Sequence, residues 1–415
     1  MFQTIRNAWK IPDLRKKILF TLFMIAVFRL GSYIPVPGLD RGALQSMIGE
    51  GNNLFGMLDL FSGGAFGNAT IFAMSITPYI NSSIIIQLLT VAIPALERLA
   101  KEGEEGRKRL ASWTRYGTVI LAFIQALGLY FALRSGISNP GVVSFIMITF
   151  SFTAGTAFLM WLGEQITEYG VGNGISIIIF AGIVSRVPSS VIGLVNNFRA
   201  VQGIQGIISL AAIIIVSAAS ILLVVFINDA ERRIPVQYAK RMVGRKMYGG
   251  QSTHIPIKIA MAGVIPIIFA MSILSFPQTI AQLIGKNIQI FNTTSWWYII
   301  LYFLLIIFFT YFYTAIQFNP IEVANNMKKN GGFIPGIRPG KPTSDFINKV
   351  LVKITLAGAV FLGLIAVLPQ IVVKYTAFHL TLGGSSLLIL VGVALETVKQ
   401  IESQMLMRHY KGFLD

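Results

Sequence analysis

The sequence predicts an all-α membrane protein of ten transmembrane helices, divided five and five, and three observations predict it. Of 415 residues, 54% are hydrophobic and only 12% charged, about half the charged share of an average soluble chain. The apolar residues arrive in ten long runs rather than amphipathic stripes, each near the ~20 residues that cross hydrocarbon. The basic residues favour alternate connections between those runs, 27 of the 34 Lys and Arg falling on one side. This composition excludes disorder, and the long apolar runs argue against a soluble multidomain enzyme.

The runs follow in order. Ile18–Ile34 comes after five basic residues, as a signal peptide would. It lacks a small-x-small cleavage site and leads into further runs, so it reads as a retained span. Leu54–Phe66 is apolar but only thirteen residues long, too short to span. It reads as an interfacial helix, the simpler choice, or as a stopper in a cavity. Then come Ile71–Ile93, Thr118–Leu133, Phe145–Leu162, Ile175–Val195, Ile207–Ile227, Ile259–Ile280, Trp296–Phe318, Leu351–Leu368 and Leu380–Val398. Several are short or interrupted by Pro78, Pro266, Gly383 or Gly384.

Charge sets the orientation. The basic clusters before Ile18, at Arg98–Arg115, Arg232–Lys258 and Lys328–Lys353, and after Val398 share one face. Only Arg41, Arg134, Arg186, Arg199, Lys286 and Lys374 fall on the other. The positive-inside rule then puts both termini in the cytoplasm. The resulting divisions are a cytosolic segment 1–17, halves 18–200 and 201–398, and a cytosolic tail 399–415. The long inner loops Asn228–Lys258 and Asn319–Val350 contain Pro and Gly and are expected to form turns or hairpins rather than helices. The string IFAMSI recurs at Ile71–Ile76 and Ile268–Ile273, in the second and seventh runs. Five spans per half would invert the second half, a common plan for membrane conduits.

The chemistry is defined by what is missing. There is no cysteine, and His254, His379 and His409 are too scattered for a metal cluster. All six aspartates fall in connections, in the short outer run or at the terminus; Glu164 and Glu396 approach only the inner ends of runs. Arg29 is close enough to its helix's outer end to snorkel. No HExxH or Walker A loop occurs, and Gly170–Gly174 (GVGNG) lacks the Lys and Ser/Thr that phosphate binding uses. An ion-coupled secondary transporter of a small solute remains an alternative, against which the lack of ionisable groups at mid-membrane depth weighs. An intramembrane enzyme lacks its catalytic pairs, and no cofactor is called for.

Specific strings go further. FRLGSYIPVPG (Phe28–Gly38), FSGGA (Phe61–Ala65), SIIIQLLT (Ser83–Thr90) and KEGEEGRK (Lys101–Lys108) occur in that order. WLGEQITEYGVGNGISIIIFAGI (Trp161–Ile183), YAKR (Tyr238–Arg241), QSTHIPIK (Gln251–Lys258), FNP (Phe318–Pro320), PGIRPG (Pro335–Gly340) and GGSSLLI (Gly383–Ile389) follow. Together they resemble the bacterial SecY family, the central subunits of the Sec protein-conducting channel, over nearly the whole chain. Departures from the family pattern lie in Val187–Gly206, Gly285–Thr294 and the tail.

The resemblance implies two inverted pseudo-symmetric halves clamped around an hourglass pore in the cytoplasmic membrane, and a lateral gate between spans two and three and spans seven and eight. It implies a constriction ring of Ile76, Ile80, Ile175, Ile179, Ile268 and Ile389. It turns Leu54–Phe66 into a plug in which Phe55, Met57, Leu58 and Phe61 cover the ring and Gly63 and Gly64 allow the turn. Gln87, polar within the second span, becomes the lateral-gate residue. The inner loops become docking sites for the SecA ATPase or the ribosome and its rRNA phosphates, led by Arg338 and followed by Arg232, Arg233, Lys240, Arg241, Arg245 and Lys246. Positive-inside bias and anionic lipid account for the number of these charges but not for the length of the loops. SecE and SecG subunits, signal peptides and unfolded precursors are the other implied partners.

Overall fold

The computed structural model describes residues 2–42, 44–45, 59, 62–137, 139–200, 204–238, 241–243, 246–248, 252–283, 295–375 and 384–411. Helices dominate. The first half contains α1 (Phe2–Lys10), α2 (Pro12–Gly31), α3 (Thr77–Ala92), α4 (Pro94–Lys101), α5 (Glu104–Ala132), α6 (Val142–Tyr169) and α7 (Gly174–Ala200). The second contains α8 (Ile204–Asp229), α9 (Ile265–Leu283), α10 (Trp296–Gln317), α11 (Pro320–Lys329), α12 (Lys341–Tyr375) and α13 (Gly384–Lys411). Each of the ten apolar runs overlaps one of these helices, and among the described residues six helices, or seven if the bent pair α3–α4 is one span, are long and apolar enough to cross a bilayer. The chain turns by 102° between α3 and α4, at Ile93.

The structure corrects the expected second span. Residues 62–76 are a succession of turns, and a regular helix begins only at Thr77. Ala69 and Ser75 both have φ of +53°, which no helix accommodates. Irregular backbone is tolerated at membrane depth only inside protein, and nearly all of this stretch is buried. Its edge is held by the loop after α2: Val36 donates its N–H to the Ala69 carbonyl at 2.8 Å, and Ile71 donates to Ile34 at 3.1 Å. Two glycines admit it. A Cβ on Gly31 would strike the Phe72 ring, and one on Gly155 would strike the Ile71 carbonyl. Phe72 therefore sits between Phe28 and Phe158, stacked on each at 6.0 Å.

The internal repeat lies in a different register from IFAMSI. The first copy of that string falls in the turns and the second inside α9, so the two copies differ in conformation. The structural likeness lies at the helix starts. Ser75 (φ +53°) stands two residues before α3 and Gly263 (φ +59°) two residues before α9, and Pro78 and Pro266 are their second helical residues. On that register Ile80 matches Ile268.

Within the first half α3 packs on α5, α5 on α6, α6 on α7 and α2 on α6. In the second half α9 packs on α10, α10 on α12, and α8 and α12 on α13. The halves meet along two seams, α9 against α3 and α5 on one side and α13 against α7 on the other. Attraction between helices in lipid comes from close packing rather than water exclusion, so the outward faces stay apolar. Leu222 and Phe226 of α8 are about 70% exposed.

On the basic side, the first long loop is a hairpin as expected. β1 (Glu231–Tyr238) pairs antiparallel with β4 (Ser252–Lys258), and β2 (Arg241–Val243) with β3 (Lys246–Tyr248). The second long loop differs from expectation. It holds α11, β5 (Gly332–Phe333), which pairs with β1, and the first ten residues of α12. The capping signals explain α11. The Asn319 side chain accepts N–H bonds from Ile321 and Glu322, Pro320 opens the first turn, and Lys328 and Lys329 close the last. The tail is helical too, since α13 continues to Lys411. There Ile401 packs in one buried cluster with Ala8, Leu14 and Val171, joining the two ends of the chain.

Candidate functional site

The six isoleucines of the expected ring belong to one contiguous apolar cluster. Ile76 caps α3 and Ile80 lies on its first turn; Ile175 and Ile179 start α7, Ile268 starts α9 and Ile389 starts α13. Ile76, Ile179, Ile268 and Ile389 are at most 8% exposed, and Ile80 and Ile175 pack against them half-buried. Val264 and Val393 join from the second half. Four helices thus deliver the ring residues near their N-terminal ends, between the two seams. Ile175 stands apart, for its Cδ1 also rests on α6 at Gly163.

The start of α7 is fixed locally. Asn173 caps it by accepting from Ile175 N–H at 3.1 Å, and Gly172 takes φ of +84°. Gly174 donates to Thr167 Oγ1 at 2.9 Å. GVGNG is therefore the α6–α7 corner that presents the isoleucines, consistent with the missing phosphate-binding residues.

Of the expected plug, Phe55, Met57, Leu58 and Phe61 lie outside the described residues. Gly63 and Gly64 have φ of +64° and +91°, so the expected turn is present. Asp59 is buried and ion-paired with Arg186 of α7. The sequence reading placed Arg186 among the outer charges and left Arg29 to snorkel; both instead turn into the protein. Arg29 Nη1 donates to Ser185 Oγ at 2.9 Å and to the Gly63 carbonyl at 3.2 Å. Spacing along the chain carries no sign of this cluster, since the two bonds of Arg29 join it to residues 34 and 156 positions away.

Gln87 lies half-buried on α3, the helix that abuts α9. Its Nε2 donates to Ser83 Oγ at 3.4 Å, and its Oε1 is buried with no partner among the described residues. The neighbouring Ile80, Ile84 and Leu88 pack with the core of the second half.

Arg338 is exposed on the turn between Gly336 (φ +82°) and Gly340 (φ +103°), its carbonyl accepting from Thr343 Oγ1 at 2.8 Å. Arg232 and Arg233 are exposed on β1, with Arg233 paired to Glu231 at 2.7 Å. Arg241 and Lys246 belong to the β2–β3 ladder, their backbones in register with Tyr248 and Val243; Lys240 and Arg245 lie outside the described residues. The basic stretch at α4 and α5 is of another kind. Glu97–Lys101, Glu104–Lys108 and Glu105–Arg109 pair within one turn, and the Lys101 hydrogen bond holds the Glu97 carboxyl below its ordinary pKa. Much of that charge is answered locally. Among the described residues no group of three His, Asp or Glu could hold a metal.

Comparison with known proteins adds the family. The SecY family profile matches residues 70–398. The Protein translocase subunit SecY of Halalkalibacterium halodurans is 49% identical over the full length of both chains. Three solved structures share the fold at 17–19% identity, each covering 97% of both chains. One is described as a protein conducting channel (TM-score 0.70) and one as SecY whose plug domain stabilises the closed state (0.67). The third is Sec61 in a canine ribosome-channel complex (0.65). A multi-pass helical membrane protein whose two halves close around a shared apolar cluster, and whose full length aligns with translocase subunits, this chain belongs to the SecY family.

Proposed function

We propose that the chain conducts unfolded polypeptides out of the bacterial cytoplasm through the isoleucine cluster and releases apolar segments sideways between α3 and α9. Family membership makes it a protein-translocase channel subunit rather than a solute transporter. The observation that carries the mechanism is the convergence of Ile76, Ile80, Ile175, Ile179, Ile268 and Ile389 in one cluster where the halves meet. An apolar constriction excludes ions by dewetting. It also offers no hydrogen-bonding group for which a passing chain must match, so it is indifferent to sequence.

A signal peptide would leave through the seam by exchanging contacts with α3 and α9 for lipid, so its apolar core is read by partition energy. Gln87 is the gate candidate on that reading, a half-buried polar residue on α3 flanked by Ile84 and Leu88, which pack with the core of the second half. Arg338, exposed on the turn before α12, suits docking of a motor ATPase (SecA) or of ribosomal phosphates, and Arg232, Arg233, Lys240, Arg241, Arg245 and Lys246 are assigned the same role with it. SecE-like and SecG-like subunits and anionic lipid would complete the assembly, with both termini in the cytoplasm. No catalytic group is required of this chain, since motor or ribosome supplies the energy.

The test is reconstitution with a SecE-like subunit, SecA, ATP and a secretory precursor. Protease protection of the precursor is expected. A precursor left accessible, while a known translocase protects it in parallel, would remove the proposal.

A further inference from the structure

The GVGNG corner, both chain ends and the root of the first long inner loop converge on α13. Ile389, Val393, Thr397 and Ile401 follow one another at four-residue intervals, so they share one face of that helix. Ile389 and Val393 belong to the ring cluster. Thr397 lies against the corner, its Oγ1 3.3 Å from where a Cβ on Gly172 would stand, and Ile401 packs with Ala8 of α1 and with Val171. The hairpin root is attached beside that face. Lys399 Nζ donates to Asp229 Oδ1 at 2.7 Å and to the Asn228 carbonyl at 3.0 Å. Glu231 of β1 is in register with Lys258 of β4, and Ile259 donates its N–H to the Ala230 carbonyl at 3.0 Å, so the two strands leave α8 as one unit. Lys258 is within electrostatic reach of Glu396, three residues before Lys399. One helix thus holds both feet of the hairpin at its inner end and carries a ring residue about 15 Å further along, at 1.5 Å of rise per residue.

We propose that Lys399, through its bonds to Asp229 and Asn228, is a positioning residue that couples docking of the motor ATPase on the inner hairpin to the placement of α13, and hence to the ring. Two features favour coupling over bracing. The pair is too open to water to add much to stability, its side chains being 38% and 60% exposed. Its cation also sits on the last residues of α8, where the helix dipole favours positive charge. The contact therefore fixes the hairpin root in direction relative to α13 without filling any space, and a push on the root is carried along a stiff helix to Val393 and Ile389.

The proposal rests on the docking and channel readings above, and the experiment separates the failures. Precursor translocation by the reconstituted complex is measured against SecA concentration for Lys399→Met, Lys399→Arg, Asp229→Asn, Arg338→Ala and Lys101→Met. Lys399→Met and Asp229→Asn are expected to lower the maximal rate about fivefold, the low end of coupling between two sites, with the half-saturating SecA concentration unchanged. Lys399→Arg keeps the charge and should restore the rate. Arg338→Ala should instead raise the half-saturating concentration, and Lys101→Met, which removes an exposed pair within α4, should be silent. Copurification of the SecE-like subunit and thermal unfolding in detergent report assembly, and both should match the parent. An unchanged maximal rate, a raised half-saturating concentration, no rescue by arginine, or lost assembly in both Lys399→Met and Asp229→Asn overturns the coupling role. A parent complex that fails to translocate overturns the channel reading itself. Arg338→Ala with an unchanged half-saturating concentration, while the Lys399 effect persists, overturns only the docking role of Arg338.

Discussion

At the scale of single residues, two buried isoleucines of the proposed ring give the sharpest expectations. Ile389 is fully buried and Ile179 2% exposed. Glycine at either removes packing worth about 2–5 kcal/mol for a buried isoleucine and opens the dry constriction, so ion leak should rise while insertion in the membrane persists. Leak identical to the parent protein would count against both positions. Arg338→Ala should weaken motor or ribosome binding roughly tenfold, about the value of one charge-assisted hydrogen bond. Stability should be unchanged, since the native side chain is exposed and only its carbonyl is bonded. The family resemblance assigned these side chains by motif position, and each isoleucine sits near a helix start marked by Pro, Gly or Asn. The Asp59–Arg186 pair left no such mark: an aspartate in a short apolar run and an arginine in a span look like unrelated exceptions until the fold joins them.

At the scale of elements, glycine contacts separate tight packing from open space. Gly155→Ala would set a methyl against the Ile71 carbonyl, a backbone atom that cannot swing aside, whereas Gly141 has open space around it. A loss of about 1–3 kcal/mol, the cost of overpacking, is expected for the first and none for the second, read by thermal unfolding in detergent. Asn319→Ala should remove about 1 kcal/mol with the α11 cap, measurable as faster proteolysis of the inner loop. The asparagine–proline start of α11 was visible in the sequence, and a reading that took Pro and Gly only as breakers passed over it. The long apolar helices were legible because hydropathy reports burial in lipid directly. The turns of residues 62–76 were not, because hydropathy does not distinguish apolar helix from apolar turn.

At the scale of the whole molecule, the seam of α9 against α3 and α5 is the one across which apolar segments would leave. Because the chain has no cysteine, a pair introduced across that seam supplies the only thiols. Oxidation should stop translocation and reduction restore it; full activity in the oxidised protein would show that the seam need not part. Charge distribution predicts an orientation and motif order gave the family, but neither carries the register of the internal repeat. That register is written in backbone conformation, where a serine in one half does the work of a glycine in the other.

The matched openings of α3 and α9 have a mechanical consequence. A helix advances by about 100° per residue, so the angular phase of Ile80 and Ile268 about their axes is decided within the few residues after Ser75 and Gly263. One inserted residue there would swing the isoleucine from the axis toward a neighbouring helix, while the same insertion beyond Ile93 would leave it aimed as before. Tolerance to length changes should therefore be lopsided along each span, lowest at the outset and relaxed toward the far end.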